Sequence, residues 1–171
     1  MTLNVALRIL DPRLRDWGFP RYGSDHAAGL DLHACIEAPV VVRPQAPAML
    51  IPAGFAFHIA DPEWCALVLP RSGLGHRDGL VLGNAVGLID SDYQGPCMIS
   101  AWNRNPPQPD GQAGIIIQPG DRIAQLVFTR TVRPQYTIVQ EFPAATTRRI
   151  GGFGSTGIAS SCGNPPGQRN S

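Results

Sequence analysis

The chain has 171 residues, 43% of them apolar and 16% charged, which is enough for one well-filled core and too little for two ordinary domains. A formal net charge of +1 gives no global field for nucleic acid or a membrane surface, so an anionic ligand has to be held by a local cluster. All 14 basic residues are arginine, whose planar guanidinium presents paired donors to carboxylate or phosphate.

The four cysteines, Cys35, Cys65, Cys97 and Cys162, form no paired-spacing motif, and His26, His33, His58 and His76 show no spacing that suggests zinc. The start of the chain does not read as a signal peptide, so free thiols in a reducing cytoplasm are expected. No apolar run approaches the roughly 20 residues that span a bilayer. Gly (19) and Pro (17) punctuate the chain at short intervals, a cadence of many short strands with little helix.

Residues 4–10 alternate toward an edge strand that Asp11 and Pro12 stop. After a loop holding Trp17 and Pro20, the alternation of Leu30, Leu32 and Ala34 puts Asp31 and His33 on the opposite face. Strands are expected over residues 40–43 and 49–51, each ended by a proline, and over 55–59 and 65–69. Residues 70–75, Pro-Arg-Ser-Gly-Leu-Gly, follow a strand directly. Ser72 and Gly73 in a tight turn can start a helix whose free amides, with Arg71, would grip an anion. A capped turn with a surface arginine is an equal reading.

Residues 83–95 read as a β-hairpin with a polar cargo. Residues 79–82 enter it as an apolar run, residues 98–102 leave it with the alternation of a half-buried strand, and 91–95 have turn composition. Asn84, Asp90 and Tyr93 are thereby held on one short unit. Asp90 and Asp92 would suit a plain solvated turn, but Asp90 follows an apolar run, and a carboxylate ending a buried strand needs a partner or a task.

Residues 104–112 form a proline-rich surface loop, and 115–117 and 122–128 are strands around the turn 118–121. Gln125 sits among apolar residues and needs partners, so a structural hydrogen bond is at least as good a reading as a ligand contact. Residues 135–139 read as the last strand. From Ala144 the composition turns polar and glycine-rich, with Phe153 between glycines, Arg148 upstream and Ser155 downstream. Such a segment is a flexible linker or a lid, its ring stacking on a ligand and its amides reaching phosphate.

Taken in order, residues 28–34, 70–75, 83–95, 120–126, and Arg148 with 151–157 resemble the five motifs of the trimeric deoxyuridine triphosphatases, a likeness running from Val5 to Gly157. The resemblance implies an all-β, jelly-roll-like barrel or sandwich forming a homotrimer with a swapped C-terminal arm. It divides the chain into a β domain (1–145), a glycine-rich lid (146–157) and a tail (158–171) that matches nothing. Three active sites would lie at subunit interfaces, with the first, second and fourth motifs beside a hairpin from a second subunit and the arm from a third.

The implied reaction is hydrolysis of dUTP to dUMP and diphosphate with Mg2+. The resemblance assigns Asp31 to Mg2+ through bound water and Asp90 to the water attacking the α-phosphorus. It gives the phosphates to Arg71, Ser72, Gly73, Gln125 and Arg148, with Ser155 in the closing arm. Uracil would be read by Asn84 and by backbone near Leu88, Ile89 and Met98, deoxyribose by Tyr93, and the stacked base by Phe153. Arg149 stands where a small residue is expected, so it could take the place of Arg148, and the loop 105–114 is longer than in compact bacterial members. The related dCTP deaminases use a glutamate, and Glu37, Glu63 and Glu141 all lie outside the hairpin. A non-catalytic nucleotide-binding paralogue would be favoured had Asp90, Arg71 or Phe153 been missing.

Overall fold

The short alternating segments between Pro and Gly stops become ten strands in a computed structural model that describes residues 3–107 and 114–142. Strands β1 (Ala6–Ile9), β4 (Met49–His58), β8 (Pro96–Asn103) and β6 (Leu80–Leu82) form one sheet in that order. Strands β2 (Leu30–His33), β10 (Arg122–Arg130), β5 (Trp64–Pro70) and β7 (Gly87–Ile89) form a second, and β3 (Val40–Val42) pairs with β9 (Ile115–Ile117). All the pairings between these strands are antiparallel. The architecture is the expected all-β sandwich, and the chain divides into a unit of residues 1–133 and one of 134–171.

The apolar residues of both four-stranded sheets share one core. Phe57 of β4 meets Phe128 of β10 edge to face at 5.7 Å, and Phe55 stands 4.5 Å from Phe19. Asn103, 1% exposed, donates Nδ2 to the Val42 carbonyl at 3.0 Å and accepts the Asn105 amide on Oδ1 at 3.0 Å, which ties the small sheet to β8 without an orphaned polar group.

Four expectations change. The separate strands expected at 49–51 and 55–59 are one strand, β4, because a register irregularity between Pro52 and Ala56 accommodates the proline and the chain continues. Gly54 makes this passable: its φ is +79, and its carbonyl accepts the amides of Leu10 and Asp11, both at 2.9 Å. The Trp17 loop contains one helical turn, α1 (Arg13–Asp16), where only loop was expected. His33 is buried, its ring stacked on Trp17 at 5.7 Å, so the polar face of β2 is covered there and burial pushes the imidazole below its ordinary pKa. Residues 135–139 form no strand, and Ile138 is 99% exposed, because a strand needs a ladder partner and this unit supplies none among its described residues.

Two outcomes follow from the core. Gly54→Ala should cost more than about 1 kcal/mol in denaturant unfolding, because the left-handed backbone is strained for alanine and the new Cβ meets the Cys35 sulfur. Burial pushes the Cys35 and Cys97 thiols up to about 12, so iodoacetamide at mildly alkaline pH should leave both unlabelled in the native protein and label them after unfolding, as peptide mass mapping would show.

Candidate active site

Three strands of the second sheet build a charged cluster. Gln125 of β10 faces Asp31 of β2 across one ladder and Leu69 of β5 across the other, so Arg71, just past the end of β5, arrives beside Asp31. Arg71 Nε lies 2.9 Å from Asp31 Oδ1, and Arg122 Nη1 donates to Oδ2 at 3.1 Å. The Arg71 guanidinium also donates to the Arg122 carbonyl at 3.1 Å, which fixes the two arginines relative to each other. Gln125 Nε2 donates to the Pro70 carbonyl at 3.0 Å, so the structural reading of this amide holds.

Arg122 was not singled out from the sequence. It lies three residues before Gln125, which strict alternation would place on the other face, but a bulge between Arg122 and Ala124 breaks the two-residue period. Alternation carries no signal of such a slip. Beyond Arg71 the chain enters a short π-helical turn (Leu74–Asp78) with Ser72 and Gly73 exposed at its start and no side-chain cap.

A second cluster surrounds a cavity of about 500 Å³ at the hairpin, whose lining includes Asn84, Leu88, Ile89, Asp90, Tyr93 and Met98. The hairpin differs from a simple two-stranded one. β6 pairs with β8 in the first sheet, and β7 then crosses to pair with β5 in the second, with Val68 opposite Gly87 and Ala66 opposite Ile89. Tyr93 donates its hydroxyl to the Pro96 carbonyl at 3.1 Å with its ring against Gly95, a place where any Cβ would collide. The turn is braced from just past the end of β4, since the Ala60 amide donates to the Ser91 carbonyl at 3.0 Å.

Contrary to the expectation from the apolar run before it, Asp90 does not end a buried strand. β7 is an edge strand with Gly87 and Ile89 half-buried and Leu88 exposed, Asp90 is exposed, and its carboxylate has no hydrogen bond or ion pair among the described residues. Its availability therefore comes from the edge position rather than from desolvation. Arg148, Arg149, Phe153 and Ser155 lie outside the described residues.

Among the described residues no group of three or more His, Cys, Asp and Glu could hold a metal ion. Asp31 is the carboxylate that both arginines engage; Asp121 lines the same pocket as the arginines, with its Oδ2 accepting the Gln118 amide at 2.7 Å. One carboxylate suits Mg2+, which keeps most of its water and shares coordination with phosphate oxygens, so the donor set fits that ion as a co-ligand of a nucleotide. Asp31 also separates two like charges. Asp31→Asn should therefore lower stability by about 1 kcal/mol at low salt, with the loss shrinking as salt is added, while Arg122→Gln should cost less; urea midpoints across a salt series check both.

A family model described as dUTPase matches residues 15–157. A deoxyuridine 5'-triphosphate nucleotidohydrolase from Xanthomonas oryzae is 51% identical over 158 residues, covering 92% of this chain and 97% of its own length. One from Burkholderia multivorans is 52% identical over 155 residues, covering 91% and 99%. Among solved structures, the dUTPase of Staphylococcus bacteriophage 80alpha with dUpNHpp superposes with a TM-score of 0.75 at 25% identity, covering 92% of this chain and 100% of that one. A dUTPase of phage phi11 of S. aureus, described with the coordination of a structural Mg(II) ion, shares the fold at a TM-score of 0.67 and 24% identity, covering 82% and 99%. No helix among the described residues is long and apolar enough to cross a membrane. Fold, motif order and these matches agree: the chain belongs to the dUTPase family.

Proposed function

We propose that this chain hydrolyses dUTP to dUMP and diphosphate in the cytoplasm, limiting uracil entry into DNA and supplying dUMP for thymidylate synthesis. The observation that carries the reading is the occurrence, along β5 and its neighbours β7 and β10, of an arginine-flanked Asp31 and of a nucleoside-sized cavity, closed on its other side by β8, whose edge carries the Asp90 carboxylate, unpaired among the described residues. Cavities of this size hold small ligands, and paired arginines suit phosphate oxygens.

In this reading Asn84 and the backbone near Leu88, Ile89 and Met98 meet the hydrogen-bonding edge of uracil. By family likeness the closed hairpin would exclude the thymine methyl and present a mismatch to the cytosine amine. Tyr93, held over Gly95 by its bond to Pro96, packs on deoxyribose where a 2′-hydroxyl would collide. Arg71, the amides of Ser72 and Gly73, and the second N–H of Gln125 hold phosphate oxygens. Asp90 accepts a proton from the attacking water, whose oxygen adds to the α-phosphorus while the bridging oxygen departs with diphosphate.

Asp31 would hold Mg2+ through its water shell, and the ion would supply charge neutralisation at the phosphates. For that role Arg71 and Arg122 have to exchange Asp31 for phosphate oxygens, which their exposed positions permit. The active form is a homotrimer in which each site combines the arginine cluster of one subunit with the hairpin of a second. The arm of a third closes over it, with Arg148 or Arg149 on phosphate, Ser155 beside it and Phe153 on the base. Residues 1–145 are the β domain, 146–157 the lid and 158–171 a tail.

Diphosphate release from a nucleotide panel with and without Mg2+ tests the reading; dUTP should turn over far faster than UTP or dTTP, and equal rates would refute both gates. Asp90→Asn should lower kcat by about 100-fold or more while a non-hydrolysable dUTP analogue still binds, and parent-like turnover would require another base. A chain ending at Ala145 should fold and assemble with little activity, whereas full activity would remove the lid role.

A further inference from the structure

Ala85 sits in the left-handed region with φ 61, a conformation that costs an L-residue free energy and is left to glycine where nothing else requires it. Its place is the corner at which the chain leaves β6 in one sheet for β7 in the other. Three backbone hydrogen bonds hold the corner. Gly83 donates to the Ser100 carbonyl at 2.8 Å, and Ala85 donates back to Leu82 at 3.1 Å. Val86 then donates to the Asn84 carbonyl at 2.7 Å, closing a three-residue turn around Ala85, a tight form that is rare and strained when its central φ is positive.

Asn84 is exposed, and among the described residues its side chain makes no hydrogen bond of its own. Nothing but backbone geometry therefore aims it. It lines the hairpin cavity with its Nδ2 close to Gly87, where an added Cβ would stand 3.5 Å from that nitrogen and 3.1 Å from the Val68 Cβ. Strain retained beside a polar group that has no internal partner is the pattern of a preorganised contact.

We infer that Ala85 is a positioning residue for base selection: its left-handed backbone presents the Asn84 amide to the hydrogen-bonding edge of a pyrimidine in the hairpin cavity. The inference rests on the proposed reading of Asn84 as a base contact. Ala85 itself touches no substrate. It acts by holding the corner so that the amide is aimed before the ligand arrives, and in a backbone relaxed to negative φ the Asn84 carbonyl and side chain would turn away together.

The test compares Ala85→Gly, Ala85→Asn, Ala85→Val and Asn84→Ala in the full chain, measuring KM and kcat for dUTP and dCTP together with the thermal midpoint. Glycine and asparagine tolerate positive φ and valine does not, although asparagine and valine are similar in bulk. The expected result is that the Gly and Asn variants keep parental KM and selectivity. The Val variant should raise the dUTP KM and lower the dUTP preference over dCTP by about tenfold each, with kcat little changed, the size of one lost hydrogen bond to the base.

Selectivity is a ratio read from folded molecules alone, so a lower midpoint in the Val variant leaves it interpretable. Parental selectivity in Ala85→Val beside a loss in Asn84→Ala would overturn the role of Ala85 and leave that of Asn84 standing. Equal losses in the Asn and Val variants would overturn it too, by showing bulk rather than backbone at work. Parental selectivity in Asn84→Ala would remove the reading of Asn84 on which the inference is built.

Discussion

Strand β5 is the common ruler of the site. Along one edge it pairs with β10, which sets Gln125 against Leu69 and so brings Arg71 to Asp31; along the other it pairs with β7, which sets Gly87 against Val68 and so fixes the floor of the hairpin cavity. A slip of one residue in either ladder would turn every side chain to the opposite face. The buried residues of β5, Cys65, Ala66 and Val68, anchor the strand in the core and make such a slip costly. Packing energy and site geometry are therefore the same constraint. In the proposed trimer this strand also links two neighbouring sites, since one chain gives its arginine cluster to one and its hairpin to the next.

Charge is managed locally because the chain has almost none to spare. A net charge of +1 cannot draw a triphosphate from a distance, so in the proposed reading affinity comes from arginines held ready at short range. The structure stores Arg71 and Arg122 on the single carboxylate of Asp31, half-buried between them. Two guanidiniums side by side would repel each other, and Asp31 screens that repulsion; in the proposed reading phosphate oxygens take its place. Asp90, by contrast, has no side-chain partner among the described residues and is exposed beside a sheet edge, where the proposed proton acceptor can be reached by water and substrate.

The sequence made the central strands legible because their alternation and their proline and glycine stops agree; β2, β5, β8 and β10 appear close to where the pattern places them. The charged cluster and the hairpin were legible as motifs, since Asp31, Arg71, Asn84, Asp90 and Gln125 sit in runs whose order is informative. What stayed hidden were departures from regular period. The passage of β4 through Pro52 depends on a bulge, and the approach of Arg122 to Asp31 depends on another. Residues 135–139 have strand composition and no strand, because composition reports what a segment tolerates and a ladder also needs a neighbour. The exposure of Asp90 follows from β7 being an edge, which no local window reveals.

The central claim is that the carboxylate and the arginines acting on one dUTP come from different chains joined by β5 geometry. It is tested most directly by unfolding Asp90→Asn and Arg71→Ala variants, each inactive alone, and refolding them together in equal amounts before measuring diphosphate release. Random association should restore roughly a quarter of parental activity, because some interfaces then combine an intact hairpin with an intact arginine cluster. A mixture as inactive as its two components would place both halves of the site in a single chain and contradict the account.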